Sequence, residues 1–111
     1  MTVKELAGIC GWRLLAGEDG QENQAEGCYV GDLLSWVMGR APAGGAWLTI
    51  MSNVNVAAVA ALSDAACVVL AEGVIPDPPL LDKARAQGIT LLGTDLSVFD
   101  CAVRLGGLIR T

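Results

Sequence analysis

At 111 residues, 53% apolar and 17% charged, the chain has material for one hydrophobic core and too little length for two. Its formal net charge of −5, from twelve acidic against seven basic residues, argues against a nucleic-acid partner, because affinity for phosphate backbones comes chiefly from Lys and Arg. The composition excludes intrinsic disorder, and the absence of histidine excludes nucleophile–histidine triads.

Thr2-Val3-Lys4-Glu5 has the form of a helix capping box, with Val3, Leu6, Ala7 and Cys10 as the apolar stripe and Gly11 as the stop. This amino terminus has no basic segment followed by an apolar one, so no export signal is expected and the location reads as cytoplasmic. "WRLL" at 12–15 reads as a short strand, and the polar, glycine-bearing stretch from Gly17 to Asn23 as an exposed loop. "GCYVGD" is a second strand. Asp32 is placed to cap a helix running through Met38, with Ser35 in its first turn.

"GRAPAGG" breaks that helix and leads into a strand at 46–51, after which "SNVN" opens a small apolar helix. No charged residue occurs from Ala41 to Ser63, yet Pro42, Gly44, Gly45, Thr49, Ser52, Asn53 and Asn55 interrupt the run. A spanning helix needs about 20 continuous apolar residues, so this segment reads as core and no membrane partner is expected.

"AACVVLA" has the continuous apolar character of a strand buried on both faces. Asp77-Pro78 starts a helix with Leu80, Leu81 and Ala84 inward and Gly88 as its stop, and "ITLL" is the last strand. A closing helix from about Leu96 carries Val98, Cys101, Ala102, Leu105 and Ile109 on one face, with Asp100 and Arg104 paired on the other. Alternating strands and helices imply right-handed crossovers and a small, mostly parallel sheet within one domain, residues 1–111.

Several chemistries lack their residues. There is no G-x-x-x-x-G-K-[ST] phosphate loop and no G-x-G-x-x-G turn, so neither a phosphate-transfer site nor a dinucleotide site of those types is expected. Lys4, Arg13, Arg104 and Arg110 stand isolated. Cys10, Cys28, Cys67 and Cys101 form no C-x-x-C pair and read as buried thiols in a reducing compartment. A metal or iron–sulfur site would need the fold to gather all four. No cofactor and no catalytic residue are expected.

The polar residues that remain cluster after predicted strands: Asp32 and Ser35, then Ser52, Asn53 and Asn55, then Glu72 and Gly73, then Thr94 with Asp95. In open α/β sheets ligands settle outside the carboxyl ends of strands, where helix N-termini aim free N–H groups at one crevice. The same residue types also serve as ordinary caps and turns. The helix after Asn53 is apolar on both sides, with Val54, Ala57, Ala58 and Ala61 along one and Val56, Val59 and Leu62 along the other. Such a helix needs cover all round. A second copy of the chain, anchored by Trp12, Trp36 and Trp47, is the expected cover, with packing inside one chain as the alternative.

The order "GCYVGDLLSWVM", "AWLTIMSNVNVAAVAAL", "AACVVLAEG" and "PDPPLLDKARAQGITLLGTDLSVFDCAVRL" resembles the DRTGG domain family, related to the N-terminal domain of HPr kinase/phosphorylase. The naming turn is not kept literally; Ala71-Glu72-Gly73 stands in its place. The resemblance implies a three-layer α/β sandwich and a regulatory or ligand-sensing role without the kinase domain of the full enzyme. Its ligand is expected to be a nucleotide or other anionic metabolite. The alternative is an interaction module docking on a signalling kinase or redox protein.

Overall fold

The computed structural model describes residues 1–109, so Arg110 lies outside the described residues. Helix α1 (Val3–Cys10) starts on its capping box: Thr2 Oγ1 accepts the Glu5 N–H at 3.1 Å and Glu5 Oε1 accepts the Thr2 N–H at 2.9 Å. Those bonds hold the Glu5 carboxyl below its ordinary value. The cap is therefore complete above the carboxylate range and is lost as pH falls through it. Gly11, with φ at 69°, ends the helix in the left-handed conformation that favours glycine.

Strand β1 (Arg13–Ala16) follows, then β2 (Cys28–Val30), α2 (Leu34–Arg40), β3 (Ala46–Thr49), α3 (Asn55–Leu62), β4 (Cys67–Leu70), α4 (Pro78–Gln87), β5 (Leu91–Gly93) and α5 (Val98–Leu108). The strands make one sheet in the order β1-β5-β4-β3-β2. The last four are parallel, and β1 joins the outer edge of β5 antiparallel. Successive crossovers from β2 to β5 step in one direction along the sheet, so α2, α3 and α4 fall on the same face.

Strand alternation divides the core into two clusters. Trp47, Val68, Leu70 and Leu91 pack with Val37, Val56, Val59, Leu80 and Ala84 beneath α2, α3 and α4. Leu48, Cys67, Val69 and Leu92 pack on the opposite face with Val3, Leu6, Cys101 and Leu105 of α1 and α5. The architecture is thus a three-layer α/β sandwich, as expected.

Four local expectations are corrected. Residues Glu18–Glu22 form a 3₁₀ helix rather than an open loop; Gly20 is buried, and a Cβ there would overlap the Thr90 side chain. Arg104 does not pair with Asp100. Its Nη2 donates at 3.1 Å to the Ile9 carbonyl, one of the carbonyls left free at the end of α1. Of the three tryptophans, Trp12 and Trp47 are core residues, and only Trp36 is exposed, with the Arg40 guanidinium 3.7 Å from its ring centre. Finally, α3 buries Val56, Ala57, Val59 and Ala60 but leaves Val54, Ala58, Ala61 and Leu62 uncovered by this chain. Among the described residues, no helix is long and apolar enough to cross a membrane.

Candidate functional site at the carboxyl edge of the sheet

Because β2 to β5 are parallel, the residues after each of them share one edge of the sheet. Asp32, Ser52 to Asn55, Glu72, Gly73 and Thr94 are all brought to it. Antiparallel β1 begins at the same edge, which adds Trp12 and Arg13.

Most of these polar groups are spent on the fold. Asp32 does not cap α2, whose N-cap is Leu33 with no side-chain bond. Its Oδ1 instead accepts from Thr49 Oγ1 at 2.7 Å and from the Ile50 N–H at 3.1 Å, tying the end of β2 to the end of β3. Ser35 is exposed on the first turn of α2. Asn53 does not cap α3, whose N-cap is Val54 with no side-chain bond; it closes an Asx turn just ahead of the helix, its Oδ1 accepting the Asn55 N–H at 2.9 Å and its carbonyl the Val56 N–H at 3.1 Å. Ser52 contributes its carbonyl, which receives the Asp77 N–H at 2.9 Å ahead of α4. Asn55 is the exposed first residue of α3. Replacing Asn53 by alanine is expected to cost about 1 kcal/mol in urea unfolding through the lost turn hydrogen bond.

The topological switch point lies between β4 and β5, because α4 after β4 and α5 after β5 cover opposite faces. Ligand crevices of α/β sheets open there. Here the chain itself fills the position. The Glu72 N–H donates to the Leu96 carbonyl at 2.8 Å and the Gly73 N–H to the Thr94 carbonyl at 2.9 Å. Glu72 Oε2 accepts the Val98 N–H at 2.8 Å, placing a carboxylate at the positive end of α5. Ser97 Oγ takes a second free donor, the Asp100 N–H, at 3.1 Å. Glu72 holds φ at 61°, uncommon for a residue with a Cβ, and its three-way attachment fixes that conformation.

Beside this brace lies an open hollow of about 400 Å³, lined by Cys10, Gly11, Trp12, Arg13, Thr94, Asp95, Leu96 and Arg104. Arg13 Nη2 meets Asp95 Oδ1 at 3.2 Å, with both side chains more than half exposed, so the pair is labile and solvent-screened. Arg104 is held toward α1 by Ile9, and Thr94 Oγ1 accepts the Leu96 N–H at 3.1 Å. The Trp12 indole N–H is buried and, among the described residues, has no acceptor. The hollow thus combines two guanidinium groups, one carboxylate and an aromatic wall. The two guanidinium groups suit an anion. A second hollow of about 370 Å³ runs beside β1, lined by Glu18 and Asp19 with Arg85 as its one cation. Its charge does not favour an anion.

Of the residues picked out after the strands, Thr94 and its neighbour Asp95 line the arginine hollow, while the others brace the edge or sit on its surface. Trp12, Arg13 and Arg104 went unrecognised as a group because they are far apart along the chain and each reads as an isolated residue. Among the described residues, no three Cys, Asp or Glu side chains gather as metal ligands.

No protein-family model matches the chain, and no curated protein matches its sequence. The fold is similar to the crystal structure of the CBS and DRTGG domains from the regulatory region of Clostridium perfringens pyrophosphatase, complexed with its activator diadenosine tetraphosphate. The TM-score is 0.73 at 10% identity, covering 94% of this chain and 45% of the other, so this chain spans less than half of the chain it matches. At that identity the likeness establishes the fold, which is DRTGG-like.

Proposed function

We propose that this chain is a non-catalytic cytoplasmic regulatory domain of the DRTGG type that senses a nucleotide or similar anionic metabolite and acts as a homodimer. The observation that carries the reading is the hollow at the end of β5, where Arg13 and Arg104 converge beside Trp12 and Thr94. Guanidinium groups offer a phosphate paired N–H donors. The likeness to a regulatory region crystallised with a dinucleotide activator supports the same ligand class. Asp32, Asn53 and Glu72 brace the same edge of the sheet, where Ser35, Ser52, Asn55 and Gly73 also lie, and none of these seven lines the hollow.

Thermal-shift measurements with ATP, diadenosine tetraphosphate and inorganic phosphate test this directly. A ligand present at a hundred times its Kd stabilises the fold by about 2.7 kcal/mol, an upward shift in Tm on the order of 10 °C for a domain of this size. The shift is expected to vanish in the Arg13→Ala/Arg104→Ala double variant, whose own unliganded Tm is the reference. Absence of a shift with all three probes at about 1 mM overturns the ligand reading.

The dimer rests on a different surface. Leu62 on α3 is 75% exposed, and Leu33 and Trp36 of neighbouring α2 are more than half exposed. Val54, Ala58, Ala61 and Leu62 also recur as one exposed apolar stripe along α3, the kind of surface that marks contact sites. The chain is expected to sediment as a dimer, and Leu62→Lys as a monomer with little change in melting temperature. A wild-type monomer at about 50 μM contradicts the homodimer, since specific dimers commonly bind more tightly than that. It favours the second reading, in which the same face docks on a signalling or redox protein without a small ligand.

A further inference from the structure

The four cysteines are not equivalent once the chain is folded. Cys28 and Cys67 both lie opposite Ala46, one on each side of β3. Two strand spacings separate them, about 9.6 Å between Cα atoms, which exceeds the roughly 7 Å a disulfide spans. Cys67 is also fully buried, and burial raises its thiol to about 12.

Cys10 and Cys101 stand in a different relation. Helices α1 and α5 cover the same face of the sheet. Cys10 is the last residue of α1, just before β1 begins at the carboxyl edge, and Cys101 lies in the first turn of α5, which starts at that edge. Arg104, one turn beyond Cys101, donates at 3.1 Å to the carbonyl of Ile9, the residue before Cys10, and so pins the two helix ends together. Cys10 packs against the buried cluster that contains Cys101 and Leu105. It is half-buried and lines the arginine hollow, whereas Cys101 is inaccessible. Burial pushes the Cys101 thiol up to about 12, and the neighbouring Cys10 thiol pushes it in the same direction.

We propose that Cys10 and Cys101 form a redox-active thiol pair, in which Cys10 is attacked from the hollow and Cys101 resolves the adduct. The co-reactant is an anionic low-molecular-weight disulfide, the type of molecule that Arg13 and Arg104 attract. The Cys10 thiolate attacks one sulfur of the disulfide R–S–S–R, forming a mixed disulfide and expelling one thiolate, which takes up a proton as RSH. Cys101 then attacks Cys10 Sγ, its S–H proton passing to the departing sulfur, so that the second R–S group leaves as RSH. In sum, two protein thiols lose two electrons and two protons, the disulfide gains them, and two RSH leave. The second step is the slower, since Cys101 is held as the neutral thiol. The bridge would lock α1 to α5 across the hollow. This inference shares the arginine hollow with the nucleotide reading, but its thiol readout stands whether or not a nucleotide binds.

The test uses the full-length reduced chain with oxidised glutathione, followed by intact mass and disulfide peptide mapping. A single glutathione adduct on Cys10 is expected first, converting to a species two hydrogens lighter than the reduced chain, with its titratable thiols down from four to two. Mapping should link Cys10 to Cys101. Cys101→Ala should stop at the adduct, and Cys10→Ser, at a half-buried position, should retain its remaining thiols. A wild-type adduct that persists without bridging, no loss of thiols, or a bridge between any other pair overturns the proposal. The wild-type map and the Cys10→Ser variant decide it even if the Cys101 variant does not fold.

Discussion

Replacing Trp47 by alanine is expected to destabilise the fold by about 3–5 kcal/mol, as large-to-small aromatic replacements in cores do. Trp47 is the largest fully buried side chain and packs beneath α2, α3 and α4 with Val37, Val56 and Leu70. Its indole N–H donates to the Gly31 carbonyl at 2.9 Å, fixing the end of β2 beside β3. The substitution therefore opens a cavity and frees an edge strand that is only three residues long. Domains of this size have total stabilities of about 5–15 kcal/mol, so the variant should be mostly unfolded at moderate temperature. Circular dichroism during urea unfolding measures the loss. Trp47→Phe separates the two contributions: it keeps most of the apolar volume and should lose about 1 kcal/mol for the hydrogen bond.

Gly17→Ala is expected to lose about 3 kcal/mol or more, combining left-handed strain with overpacking. Gly17 has φ at 79°, and a Cβ there would overlap the Ile89 carbonyl and the Thr90 backbone. Its own carbonyl accepts Thr90 Oγ1 at 2.7 Å, so the end of β1 lies directly against the start of β5. Gly88→Ala is the control. Its φ of 68° is similar, but nothing lies within 4 Å of the added Cβ, so only the conformational cost of about 1 kcal/mol applies. If the two variants melt alike in urea, the close approach of β1 to β5 is wrong.

Features carried by near neighbours were legible in the sequence. The Thr2–Glu5 cap, Pro78 at the start of α4 and Gly88 at its end depend on residues within one or two turns. The strand-and-helix order followed from periodicity, and with it the sharing of one edge by the strand-end polar residues. What could not be read depended on distant partners. Asp32 sits where a cap belongs, but Thr49 and Ile50 on the next strand compete for its carboxylate and win. Glu72 reads as a turn residue, and only the crossover to the opposite face brings it to the N-terminus of α5. The antiparallel pairing of β1 with β5 has no local signature, yet it carries Trp12 and Arg13 to the end of β5. Arg104 lies at i+4 from Asp100, the spacing of a helix ion pair, but the open carbonyl of Ile9 takes its guanidinium.

That long-range pairing shifts the candidate site. The Ser52–Asn55 segment is a turn that braces the edge, and the proposed anion site moves from it to the hollow at the end of β5, lined by Trp12, Arg13 and Arg104. The outer face of α3, in a stretch without charge from Ala41 to Ser63, leaves Val54, Ala58, Ala61 and Leu62 exposed, and the proposed dimer would cover it.

The most direct test of the account is an amide chemical-shift titration of the labelled chain with ATP and diadenosine tetraphosphate. Saturable shifts are predicted at Gly11, Trp12, Arg13, Thr94, Asp95 and Leu96, together with the Trp12 indole N–H, and not along the outer face of α3. Shifts confined to another surface, or none with either nucleotide at about 1 mM, would contradict it.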